Sequence, residues 1–89
     1  MASRPLARCA GEEHDQYARI VLRWDYPDGH ACRIIESRCG LQWIVQRRKG
    51  TRYGEPIWRN RHFCRHRASL ERILKGHAEE IAGRLPEWI

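Results

Sequence analysis

Apolar and polar positions alternate with the period of a β-strand from Tyr17 onward, and after His66 the spacing lengthens to that of a helix. Ile20, Leu22 and Trp24 alternate with Arg19, Val21 and Arg23, which predicts a half-buried first strand with the former set inward. Tyr26-Pro27-Asp28-Gly29 is a strong turn signal, because Pro presets one backbone angle and Gly accepts positive φ. Residues 31–38 suit a second strand whose faces are both mixed, so the pattern leaves its register open. After the break at Cys39-Gly40, Leu41, Trp43 and Val45 alternate with Gln42, Ile44 and Gln46 in a third strand. Arg47 to Glu55 reads as a basic loop closed by Pro56.

A fourth strand is expected from Ile57 to Arg65. Its inner face is assigned to Trp58, Asn60, His62 and Cys64, since the opposite set would bury Arg59, Arg61 and Arg65 without partners. Leu70, Ile73, Leu74, His77, Ala78, Ile81 and Leu85 then recur three or four residues apart, as on one stripe of a helix. Gly76 weakens that helix and is expected to end a first segment, leaving a second from about 78 to 84 before Pro86. Trp88 and Ile89 are expected to fold back on the core. The fold expected is α+β: a four-stranded antiparallel meander followed by one broken or two short C-terminal helices packed on one sheet face. Residues 1–16 lack periodicity and are read as a flexible N-terminal arm, with 17–89 as a single small domain.

Composition adds a partner class. With 89 residues there is room for one small domain and none for a large multi-part enzyme. Seventeen Lys plus Arg against eleven Asp plus Glu give a net charge of +6, which favours anionic partners. The excess is local: residues 30–75 carry twelve basic and three acidic side chains, whereas both ends are slightly acidic. Only Lys49 and Lys75 are lysines, a bias that a GC-rich genome also produces. No apolar run is long enough for a transmembrane helix, and the first ten residues lack the apolar stretch of a secretory signal. A cytoplasmic location is therefore expected, with Cys9, Cys32, Cys39 and Cys64 as reduced thiols and no membrane partner.

The candidate chemistry is nucleic-acid binding by the outer face of the sheet. In the register chosen, Arg59, Arg61, Phe63 and Arg65 point outward from the fourth strand, Gln46 and Arg48 from the third, and Arg19 and Arg23 from the first. Guanidinium groups for phosphates, an amide for base edges and one aromatic ring for stacking are the combination single-strand binders use. Lys49 and Arg52 extend the positive field. A metal site is not expected. His62-x-Cys64-x-His66, with Cys32 and Cys39, supplies zinc-compatible ligand types, but the close Cys-x2-4-Cys pair of structural zinc sites is missing. No cofactor is expected, and no catalytic signature is present. His62 or His66 beside Arg61 and Arg65 offers the base and cation of a small ribonuclease, and size and basicity resemble RelE-type toxins. Those carry a helical hairpin before the sheet, for which residues 1–16 are too short.

Gln42-Trp43-Ile44-Val45-Gln46-Arg47-Arg48, followed by Trp58 and Phe63-Cys64-Arg65, resembles small uncharacterised proteins of proteobacterial genomes, prophages and mobile elements, over residues 32–74. That resemblance implies an origin and no activity. Four strands followed by a helix is also similar, in element order alone, to the transcriptional-coactivator family of dimeric single-strand binders. The function expected is a small basic nucleic-acid-binding protein, on single-stranded or duplex nucleic acid, with no catalytic residues. The alternative is a protein-interaction module, such as a phage-encoded inhibitor docking on an acidic protein, because arginine and aromatic side chains also favour protein interfaces. A homodimer through edge strands is compatible with either.

Overall fold

The computed structural model describes residues 11–89, apart from the Arg52 side chain. Four strands, β1 (Ile20–Asp25), β2 (Ala31–Glu36), β3 (Trp43–Arg52) and β4 (Glu55–Cys64), form one antiparallel sheet in the order β1-β2-β3-β4. Helix α1 (Arg67–Ile73), a 3-10 turn (Lys75–His77) and helix α2 (Ala78–Arg84) follow. The expected α+β meander with two short C-terminal helices is the fold observed, and Gly76 sits in the turn between them.

The hairpins form where the turn chemistry allows. Gly29 and Gly40 take φ of 93° and 75° in the first two connections, a region closed to most side chains. The third connection falls at Tyr53-Gly54, with φ of 54° and 82°, the paired positive angles of a two-residue turn whose twist matches a hairpin. The segment expected as a basic loop, Arg47 to Glu55, is thus strand on both sides of that turn. Charged residues do not prevent pairing, because the ladder is made by backbone groups.

Three bulges decide which side chains face the helices. Val21 is an extra residue between the pairs Ile20–Ile35 and Leu22–Ile34, Arg61 between His62–Val45 and Asn60–Gln46, and Lys49 between Arg48–Trp58 and Gly50–Ile57. Each inserted residue reverses the alternation beyond it. The inner face assigned to β4 is therefore split. Cys64 joins the core beneath the helices, whereas Trp58 and Asn60 lie on the opposite face. Ile20 likewise separates from Leu22 and Trp24 and packs with Tyr17, Ile35 and Ile44 on that opposite face.

The helix-side core contains Cys32, Ile34, Trp43, Val45, Cys64, Leu70, Ile81 and Leu85. Leu70 and Ile81 are wholly buried, each worth about 1.5–3 kcal/mol of apolar burial. Arg67 pairs with Glu71 at 2.9 Å and donates to the Leu85 carbonyl at 3.0 Å, tying the two helices together. Ile89 packs on this core as expected; Trp88 does not, remaining 62% exposed beside His66.

The other face carries a row of polar side chains across the whole sheet: Arg23, Arg33, Gln46 and Asn60, one from each strand. Arg33 is fully buried. Its Nε donates to Gln46 Oε1 at 2.6 Å, Nη1 to the Asp15 carbonyl at 3.2 Å, and Nη2 to the carbonyls of Glu12 at 3.0 Å and His14 at 2.8 Å. Four of its five N–H donors are thus satisfied. The guanidinium lies over the Trp58 indole, 4.3 Å from the ring centroid. Gln46 Nε2 donates onward to Asn60 Oδ1 at 2.7 Å and to the Glu12 carbonyl at 2.8 Å.

The acceptors come from residues 11–17, which lie across this face and reach the β4 edge, where the Trp58 N–H donates to the Glu13 carbonyl at 3.0 Å. Trp58 Nε1 donates to Asp15 Oδ1 at 3.0 Å and Arg23 Nη1 to the same oxygen at 3.2 Å; together they hold the Asp15 carboxyl below the usual carboxylate range. Residues 11–16, placed with the flexible arm because they lack periodicity, are instead built into the fold through their backbone carbonyls. Residues 1–10 of that arm lie outside the described residues.

Two stability predictions follow from these contacts. Arg33→Ala strands three carbonyls and the Gln46 amide, and is expected to cost about 2–4 kcal/mol in urea unfolding, with Arg33→Lys failing to restore it because an ammonium lacks the planar fork. Hydrogen exchange at the Trp58 amide should accelerate in both variants. Tyr53→Asn relieves a left-handed backbone position at a 98% exposed side chain and should raise stability by roughly 0.5–1 kcal/mol in the same assay.

Candidate nucleic-acid interface

The fold sorts the basic side chains into two groups. Arg19 donates to the carbonyls of Ser37 and Arg38, Arg23 is paired with Asp15 and Asp25, Arg33 is buried, and Arg48 donates to the Gly29 carbonyl. Arg67 pairs with Glu71, and Arg84 donates to the Val21 carbonyl. Among the described residues, the side chains of Arg38, Arg47, Lys49, Arg59, Arg61, Arg65, Arg72 and Lys75 make no ion pair or hydrogen bond. Five of these eight lie on or directly after the β3–β4 hairpin: Arg47, Lys49, Arg59, Arg61 and Arg65.

The single outer face expected from the sequence is not what the sheet presents. Gln46 is fully buried and committed to Arg33, Asn60 and Glu12, so it has no amide left for a base edge. Arg23 sits 5.0 Å from the Trp58 ring centroid under the N-terminal segment's Asp15. Phe63, 58% exposed, pairs with Ile44 on the same face as Trp58 and is separated from Arg59, which pairs with Arg47 opposite Cys32 on the helix side. The Arg52 side chain lies outside the described residues.

The bulge at Arg61 makes a constellation with no signal in the sequence. Arg61 and His62 line a cavity of about 190 Å³ with Tyr26, Cys32, Val45, Arg47, Ile73 and Leu74. Cys32 and Val45 are buried at its base, and burial pushes the Cys32 thiol up, so it stays neutral. No acidic residue lines it. Tyr26 is held by a chain of polar contacts behind the wall. Glu80 Oε1 accepts from Trp24 Nε1 at 3.0 Å and lies 3.2 Å from His77 Nδ1, and His77 Nε2 lies 2.9 Å from the Tyr26 hydroxyl. A carboxylate only accepts, so Nδ1 carries a ring proton, and Nε2 shares a hydrogen bond with the Tyr26 hydroxyl. The His77 ring stacks on Trp24 at 4.0 Å. The sequence pattern marks Arg47 only as the start of a loop; its place beside Arg61 depends on pairing with Cys32 on one side and Arg59 on the other.

The residues with zinc-compatible side chains are dispersed. Cys64 is in the core, Cys32 and His62 are at the cavity, Cys39 is exposed in the β2–β3 connection, and His66 precedes α1. Among the described residues, no three His, Cys, Asp or Glu side chains group to hold a metal. No helix among them is long and apolar enough to cross a membrane. Comparison with known proteins gave no match: no family model, no curated protein and no solved structure is similar to the chain.

The cysteines differ in a way that thiol labelling reads directly. The Ser37 hydroxyl, 3.2 Å from Cys39 Sγ, pulls that exposed thiol below its ordinary range, while burial pushes Cys32 and Cys64 up. In a Cys9→Ser background, Cys39 should be the first thiol modified by a maleimide near neutral pH, with Cys32 and Cys64 reacting only on unfolding. Ser37→Ala should slow Cys39 modification.

Proposed function

We propose that the protein binds nucleic acid through the β3–β4 hairpin, with Arg47, Lys49, Arg59, Arg61 and Arg65 contacting backbone phosphates. The observation that carries this reading is the sorting of charge: carboxylates and backbone carbonyls engage five arginines elsewhere and Arg48 on the hairpin, and Arg47, Lys49, Arg59, Arg61 and Arg65 have no partner among the described residues. An unpaired guanidinium at a surface is available to replace the counterions of a polyanion, whereas a paired one must first give up its partner.

The shape of the hairpin supports the same reading. Strand β2 pairs with β3 only as far as Arg47, so residues 48–58 continue as a two-stranded ribbon beyond the four-stranded sheet, with Glu13 and His14 against its β4 edge at Trp58 and Ile57. The five residues 48–52 on the β3 side of the turn span about 17 Å at the rise of a strand. A ribbon of two strands is narrow enough to enter the major groove of duplex DNA, about 12 Å wide. A groove of about 500 Å³ along it is lined by Lys49, Gly50, Thr51, Ile57, Trp58 and Arg59. Phe63 stays exposed for stacking on an unpaired base, but sits on the face away from Arg59.

The test is a titration with labelled single-stranded and duplex oligonucleotides at two salt concentrations. Affinity should fall by orders of magnitude between about 50 and about 200 mM salt. Arg59→Ala plus Arg65→Ala should flatten the slope of log K against log salt by roughly 1.5 to 2, two phosphate contacts' worth. Arg19→Ala should leave the slope unchanged. Absence of binding at the lower salt, with recovery of a single acidic protein from nuclease-treated extract, would replace this reading with the protein-interaction one.

A further inference from the structure

We infer that the cavity between the Arg61 bulge and the α1–α2 junction is a site for one terminal phosphoryl group, a phosphomonoester held by Arg47 and Arg61 with His62 at its rim. The inference deepens the nucleic-acid reading, since the natural source of such a group on a bound strand is its phosphorylated end. Free small phosphomonoesters present the same chemistry.

Three properties of the cavity lead to this ligand. The first is charge: two guanidinium groups and an imidazole line it, no carboxylate does, and neither arginine has an ion-pair partner among the described residues. The second is its wall. Cys32, Val45, Ile73 and Leu74 are apolar, and a low-dielectric wall behind charges of one sign focuses their field into the cleft. The Tyr26 hydroxyl shares a hydrogen bond with His77, and the two guanidinium forks supply the charged donors for an anion.

The third property is size. About 190 Å³ corresponds to roughly six waters at about 30 Å³ each, enough for one phosphoryl group and below the roughly 300 Å³ at which sites for larger ligands begin. A phosphomonoester brings close to two negative charges and three terminal oxygens, which match two guanidinium groups better than the single charge and two free oxygens of a diester. The bulge is the device that makes the site. In an unbroken β4, Arg61 and His62 would point to opposite faces; with the extra residue both reach the same cavity.

One set of competition measurements separates this site from the ribbon. A single oligonucleotide is compared with a 5′-phosphate, with a 3′-phosphate and with hydroxyl ends, and inorganic phosphate is titrated separately while the NMR signals of His62 and Val45 are followed. A phosphorylated end should bind at least about tenfold more tightly than the hydroxyl-ended strand, and the 5′ and 3′ arms show which end is taken. Arg61→Ala and Arg47→Ala, both at exposed side chains, should bring the three strands to equal affinity, whereas Lys49→Ala plus Arg59→Ala, away from the cavity, should weaken all three alike and keep the preference for a phosphorylated end. Equal affinity for all three strands, with no phosphate-induced shifts, overturns the cavity site and leaves the ribbon standing. Phosphate-induced shifts at His62 and Val45 that vanish in Arg61→Ala, without oligonucleotide binding, keep the site for small phosphomonoesters and overturn the ribbon.

Discussion

A guanidinium group at the centre of a β-sheet has to be solvated by the protein itself, and Arg33 places that demand on everything around it. Its neighbours along β2 are Cys32 and Ile34, both buried, so neither face of this strand is open to water. The Gln46 side chain and three backbone carbonyls take over from water as acceptors. Burial lowers the Arg33 pKa to about 10, which still leaves it charged at neutral pH. An unsolvated charge would cost far more than a small domain's net stability, so residues 12–15 are held over the sheet by necessity. The molecule consequently has helices on one face of the sheet and a chain segment on the other.

This arrangement sets which charges remain for a partner. Covering the second face removes Gln46 and Arg33 from the surface and uses Asp15 to neutralise Arg23, which stays partly exposed. The acidic N-terminal segment spans the polar row and meets β4 at Ile57 and Trp58, with its Asp15 carboxylate held by Arg23 and the Trp58 indole. Net charge says only that a chain attracts anions; the pairing of each side chain says where. Among the described residues, five of the eight cations without a partner lie on or directly after the β3–β4 hairpin, which outruns β2 and ends in the sheet-edge strand β4.

The candidate site was partly legible in the sequence. Lys49, Arg59, Arg61 and Arg65 were identifiable as exposed cations from alternation and from the cost of burying charge, and Phe63 as exposed. Gln46 was misassigned because an amide in an alternating strand reads as outward-facing, while here it is the second member of a buried polar row. Trp58 was placed correctly as buried but on the wrong face, since a one-residue bulge leaves no compositional mark and reverses everything beyond it. Arg47 was overlooked as a member of a loop, its role depending on a strand pairing that only distant residues supply.

Turn chemistry and hydrophobic period by themselves determined the element order: glycines at left-handed positions, alternation in β1 and β3, and the stripe that breaks at Gly76 are all local signals. Local signals suffice there because each element's geometry is set by its own backbone and nearest neighbours. The tertiary structure alone decided the faces, the fate of residues 11–17 and the meeting of Arg47, Arg61 and His62. Those depend on where strands shift register and on how a buried charge finds acceptors, and both are settled by groups far apart in the chain.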